Sequence, residues 1–209
     1  MDNLLINLQS ATKNIFRLKL IPALRSKSGS LPIFEYRLHI VVTNKETKSF
    51  VCLNRTKPQI KKNLKKCPIC DFLKKNDTDS ILRHCRTYLK TNLSVFDLDE
   101  RKKVKILSIM PRVFNELLSN ELDFFNGVIA DMGEYFFSLS GPHYIKITRE
   151  GMGFDTRYSY EGELSKDALL TKYDLMKIKE TYVRPNAIIK YETQKEMIDA
   201  LNDIKKEEK

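Results

Sequence analysis

Apolar and polar residues alternate through most of the first two thirds of the chain. In residues 14–21, Phe16, Leu18 and Leu20 interleave with Arg17 and Lys19, the period-two pattern of a strand. Residues 33–43 and 49–53 repeat that character around Asn44-Lys45-Glu46-Thr47, which predicts a hairpin. Pro22 and the Ser26–Ser30 run predict a loop between the first two strands. Residues 87–97 and 104–109 read as two more strands with a turn between them. Pro111 then opens a helix through Leu118. Residues 144–148 and 156–160 form a second hairpin about Glu150-Gly151-Met152-Gly153-Phe154. The pattern changes after Gly162, where residues 165–179 and 193–206 take helical spacing, separated by Pro185.

Strands followed by helices predict an α+β protein with an antiparallel, barrel-like β core. The expected organisation is an N-terminal arm over 1–14 and a core over 15–162. That core contains a metal subdomain at about 34–86, and a helical extension follows over 163–209. Of the 209 residues 42% are apolar, enough for a core, and no apolar run approaches the ~18 residues of a membrane span. No signal-peptide core follows Met1-Asp2-Asn3, so a reducing, cytosolic setting is expected, and there four cysteines suggest metal binding before disulfides.

The net charge of +10 is unevenly spread: residues 54–90 hold eleven basic and three acidic side chains, whereas the remainder is nearly balanced. Such a concentration suggests a polyanionic partner. The same window holds three of the four cysteines. Cys67-Pro68-Ile69-Cys70 is a knuckle whose thiolates can chelate one tetrahedral Zn²⁺. Cys52 is the expected third ligand. For the fourth, a two-residue turn at Lys45-Glu46 would set His39 directly opposite Cys52, on one face of the hairpin. Cys85, separated from the knuckle by fourteen residues as Cys52 is on the other side, is the rival, with His84 behind it.

Two segments mix cations with aromatic rings, the combination that binds single-stranded nucleic acid by phosphate neutralisation and base stacking. One is Arg86, Tyr88 and Lys90, with Arg55, Lys61 and Lys62 as further cations of the basic window. The other is Tyr144, Lys146, Phe154, Arg157 and Tyr158. There is no phosphate-cradling glycine loop, nucleophile elbow or acidic two-metal cluster, so no enzyme is expected.

The hairpin bearing His39 and Cys52, the knuckle and helix running Cys67-Pro68-Ile69-Cys70-Asp71-Phe72-Leu73-Lys74-Lys75-Asn76, and the strand ending Asn92-Leu93-Ser94-Val95-Phe96-Asp97 follow one another in a recognisable order. Over roughly residues 15–162 the chain resembles the zinc-containing single-stranded DNA-binding proteins of T-even-like tailed phages, the helix-destabilising replication proteins. The resemblance implies an oligonucleotide-binding (OB-fold) barrel with an inserted zinc subdomain and a basic DNA cleft between them. One structural Zn²⁺ per chain would be held by His39, Cys52, Cys67 and Cys70. It further implies sequence-tolerant binding in viral replication, recombination or repair, in the cytoplasm of the infected host cell. Residues 1–12 contain no Lys or Arg, and the chain ends in Lys205-Lys206-Glu207-Glu208-Lys209 in place of that family's long acidic tail. Cooperativity therefore does not transfer, and replication proteins would dock on the C-terminal helices. The alternative is a zinc-stapled adaptor that binds protein or RNA.

Overall fold

The computed structural model describes residues 4–6, 8, 13–22, 33–53, 67–76, 83–116, 139–151 and 155–207. Seven strands lie where the alternation puts them: β1 (Ile15–Leu20), β2 (Ile33–Val42), β3 (Thr47–Val51), β4 (Cys85–Asp97), β5 (Val104–Ile109), β6 (His143–Glu150) and β7 (Arg157–Leu164). Three helices join them: α1 (Pro68–Lys75), α2 (Lys172–Thr181) and α3 (Gln194–Glu207). Residues 111–116 are also helical, and the expected last turn at 117–118 lies outside the described residues. The strand order is β3-β2-β4-β1-β6-β7, with β5 on β4. The assigned registers are antiparallel; Leu5 adds one parallel bridge to Ile106 of β5. The fold is thus α+β with a mostly antiparallel sheet. Among the described residues the sheet is not closed, so the expected barrel is not what is seen.

The chain divides into two compact units, Met1–Phe34 with Thr91–Ile188, and Glu35–Lys90 with Ile189–Lys209. β2 and β4 each run through both. In the first unit both sheet faces are covered. Phe16, Leu18 and Leu20 of β1 meet Leu93 and Val95 of β4 on one side. Ile21, Phe96 and Leu98 meet Tyr144, Ala168 and Ile178 on the other. This double burial explains why β4 is buried continuously from Thr91 to Asp97.

The helical extension closes onto this second face. Thr171 caps α2 in a reciprocal capping box with Asp174, whose carboxylate also takes a hydrogen bond from Arg101 Nη1 at 2.6 Å. That contact and the Arg101 Nε–Leu98 O bond of 3.0 Å hold Arg101 in the left-handed region, φ 49°. Asn92 Nδ2 donates to Pro185 O at 3.0 Å and Ser94 Oγ to Val183 O at 2.6 Å, so the chain after α2 is tied across β4. At the β6–β7 turn Gly151 has φ 76°, and a Cβ there would meet Asp155 O at 2.5 Å. No helix among the described residues is long and apolar enough to cross a membrane.

Alternation in β1 suggests that Arg17 and Lys19 share a solvent face. Lys19 is instead fully buried, its ammonium donating to Gly141 O. Burial lowers its pKa to about 8. The unfolded chain then binds more protons than the folded one between about pH 8 and the ordinary lysine value of ~10.4, so stability attributable to Lys19 rises across that window. Lys19→Met should therefore stabilise the protein most below pH 8, and the gain should shrink toward pH 10. Urea melts of both proteins at several pH values would check this.

Candidate metal centre and basic strand face

The second unit brings two ligand-bearing pieces together. The first is the β2–β3 hairpin. Its turn has Asn44-Lys45 at the centre: Thr43 N–H donates to Glu46 O at 2.9 Å, and Thr43 Oγ1 bonds Glu46 on both backbone atoms. His39 consequently pairs with Phe50, and Cys52 N–H donates to Arg37 O. The register expected from a Lys45-Glu46 turn is corrected by two residues. A shift of two preserves the face, since side chains alternate with period two. His39 and Cys52 therefore still point to one side, as diagonal rather than facing neighbours.

The second piece is the knuckle and α1. Cys67 is the residue before the helix, Pro68 occupies the first turn, and Asp71 sits where the dipole favours an acid. Cys70 follows one turn after Cys67. The ligand atoms of His39, Cys52, Cys67 and Cys70 all lie within 4.8 Å of one another. His39 Nε2 is 3.5 Å from both Cys67 Sγ and Cys70 Sγ, and Cys52 Sγ is 3.4 Å from Cys70 Sγ. A tetrahedral ion with sulfur at ~2.3 Å and imidazole nitrogen at ~2.0 Å requires S···N edges of about 3.5 Å and S···S edges of about 3.7 Å. The four residues fit a single metal ion. His39, Cys52 and Cys67 are buried and Cys70 is half-buried, as in a closed site rather than an open one.

The surroundings favour the charged form of Cys67 and the neutral form of Cys70. Cys67 is pulled down to about 3, first by the hydrogen bond from Cys52, then by His39 and by the Cys70 and Leu53 amides. Burial pushes Cys70 up, while the nearby Arg37 charge acts against that. His39 Nδ1 lies 3.0 Å from Thr87 Oγ1. If Nδ1–H donates to that hydroxyl, Nε2 is left as the lone-pair nitrogen aimed at the sulfurs, the tautomer a metal needs. Nothing in the spacing of cysteines marks Thr87; only the pairing of β2 with β4 brings it to the ring.

Cys85 is buried in the same apolar cluster but is not one of the four converging residues. Burial pushes its thiol up to about 11. His84 is turned away, with Nδ1 3.1 Å from Val42 O. The choice between His39 and Cys85 therefore falls to His39.

On β4, Cys85 is buried and the exposed Thr87 turns its hydroxyl to His39, so alternation puts Arg86, Tyr88 and Lys90 on the opposite face. Arg86 and Tyr88 are exposed and Lys90 is half-buried; Tyr88 retains 38% of its surface. Arg55, Lys61, Lys62 and Phe154 lie outside the described residues. The β6–β7 residues are placed differently from expectation. Tyr144 is 8% exposed, packs in the second core of the first unit, and donates its hydroxyl to Glu163, so its ring offers no free face. Lys146 pairs with Glu163 at 2.7 Å and Glu161 at 3.6 Å. Tyr158 packs against the other core and donates to Leu8 O at 3.2 Å, while Arg157 is exposed at the strand end. The acids of the neighbouring strand, invisible to a reading of β6 alone, account for Lys146.

No family model matches this chain, and no curated protein is significantly similar to it.

The four-ligand geometry predicts that Cys67→Ser or Cys70→Ser loses the bound metal and the fold of residues 35–90, because a structural site contributes folding energy directly. Cys85→Ala should keep the metal. Metal content by mass spectrometry and near-UV circular dichroism on the three variants would check both outcomes.

Proposed function

We propose that this chain is a sequence-tolerant single-stranded DNA-binding protein with a structural zinc, akin to the helix-destabilising proteins of tailed phages. The observation that carries the reading is the strand face of Arg86, Tyr88 and Lys90: two cations flank an exposed ring on a strand whose reverse side is hydrogen-bonded to the metal-facing His39. The cations neutralise phosphates and release counterions, and the ring stacks on a base. Zinc suits three thiolates and one imidazole in a closed tetrahedral site, where it shapes the subdomain and performs no chemistry. The reading includes an oligonucleotide-binding type of fold for the first unit, supported by its five antiparallel strands, β5-β4-β1-β6-β7. It also includes action in the replication, recombination or repair of viral DNA inside the infected cell.

The mechanism is mass action. Binding single strands and not duplex pulls the melting equilibrium toward separated strands and shields them. Affinity should fall steeply with salt, by a slope of roughly −0.7 per phosphate contact.

A second reading, a zinc-stapled adaptor for protein or RNA, is favoured by one feature. Leu169, just before α2, and Tyr173 and Met176 on it are exposed apolar residues, with Tyr173 61% exposed. Charge-introducing or alanine changes there should abolish a partner pulldown and leave DNA affinity intact if docking is the role of that surface.

Fluorescence anisotropy with labelled oligo-dT, titrated with salt and competed with duplex, is the direct test. Tyr88→Ala should weaken oligo-dT binding about fivefold or more, since stacking contributes ~1–3 kcal/mol per base. Arg86→Ala and Lys90→Ala should each flatten the salt slope, whereas Lys146→Ala should change little. Equal affinity for duplex, or indifference to Tyr88→Ala, would defeat the reading.

A further inference from the structure

The helix α3 belongs to the same compact unit as the four candidate ligands. Met197, Ala200, Leu201 and Ile204 recur at helical spacing, and all four are buried. They share one apolar cluster with Cys52 and Cys67. α3 packs on α1, the helix that carries the knuckle. Its Ala200 shares that cluster with Val41 of the β2–β3 hairpin, the piece that carries His39, and Ala200 and Asp203 line a pocket with Val41 and Lys48. A capping box starts the helix: Thr193 Oγ1 accepts from Glu196 N–H at 3.2 Å, and the Glu196 carboxylate accepts from Thr193 N–H at 2.7 Å.

Two ties therefore hold the hairpin to α1. One is the set of four ligands around an ion, the other is the apolar face of α3. We propose that α3 is a latch thermodynamically coupled to the metal: ion binding docks the helix, and the docked helix tightens ion binding by the same factor. The reciprocity follows because both ties favour one arrangement of the same two pieces. The C-terminal helix is then part of the metal centre, although it supplies no ligand. Loss of the ion would free a helix whose apolar stripe is otherwise hidden. The proposal rests on the metal reading and goes beyond it, since a structural ion alone requires nothing of residues 194–207.

The test uses the full chain and zinc itself. The zinc dissociation constant is measured by competition with a chromophoric chelator for the wild type, Met197→Ala/Leu201→Ala, and Ile198→Ala. Ile198 lies on the same helix but is 46% exposed. The double variant should bind zinc about tenfold or more weakly, within the usual range of coupling between sites, and Ile198→Ala should match the wild type. Hydrogen exchange on the wild type needs no variant to fold: chelation should raise exchange across residues 194–204. Equal zinc affinity in the double variant and Ile198→Ala, or unchanged helix protection on chelation, overturns the latch. Zinc binding with an indifferent helix overturns the latch alone, whereas a wild-type chain that takes up no zinc overturns the metal reading as well.

Discussion

Three sulfurs and an imidazole nitrogen, packed within 4.8 Å of one another and mostly out of water, are the constraint on which the second unit depends. Such groups are costly to bury unless something satisfies them, and a lowered Cys67 thiol makes the electrostatic demand larger. A cation would resolve it, because the interior would then hold ion and thiolates as mutual partners. The rest of the unit follows from that demand. The hairpin supplies one pair of ligands and the knuckle the other. Thr87 of β4 orients the ring, and α1 offers the amide end of a helix to the sulfurs. The unit is small, and a small unit is the setting in which a metal contributes most to folding.

Much of this was legible in the chain, and the failures have separate causes. Strand positions followed from alternation because most strands present one face to a core. A helix from Asp71 to about Lys75 followed from the acid at its start, although α1 already begins at Pro68, and the ligand set followed from Cys-x-x-Cys with an imidazole nearby. The hairpin register did not follow, because choosing between Lys45-Glu46 and Asn44-Lys45 as turn centre depends on the bonds that Thr43 makes to Glu46. The error was harmless to the ligand set only because it was even: a slip of one residue would have turned His39 away from Cys52.

A different limit applied to Lys19, Tyr144 and Lys146. Each sits on a strand whose pattern suggests an open face, and each is covered or neutralised by something distant in the chain. Gly141 takes the Lys19 ammonium, and Glu163 takes both the Tyr144 hydroxyl and the Lys146 ammonium. Charge and aromaticity along one strand do not reveal whether a neighbouring element already satisfies them. The row on β4 differs because the strand is exposed from Arg86 to Leu89, and only Cys85 and the Thr87 hydroxyl on its other face reach the metal-ligand cluster. Among the described residues no neighbouring acid is paired with Arg86 or Lys90 in a salt bridge.

The same alternation links the two halves of the proposed function. Thr87 holds the imidazole at 3.0 Å while its neighbours Arg86 and Tyr88 project the opposite way. A ligand ring cannot rotate or leave its sulfurs without disturbing the hydroxyl that holds it, and that hydroxyl belongs to the strand bearing the exposed cations and ring. In the proposed reading an ion held there would fix the aim of a surface it never touches. Stacking and phosphate contacts gain from such fixation because less side-chain and backbone freedom remains to be lost on binding. A buried site with no open coordination position can in this way govern an interaction at the surface, and the chemistry of the ion matters only through the shape it enforces.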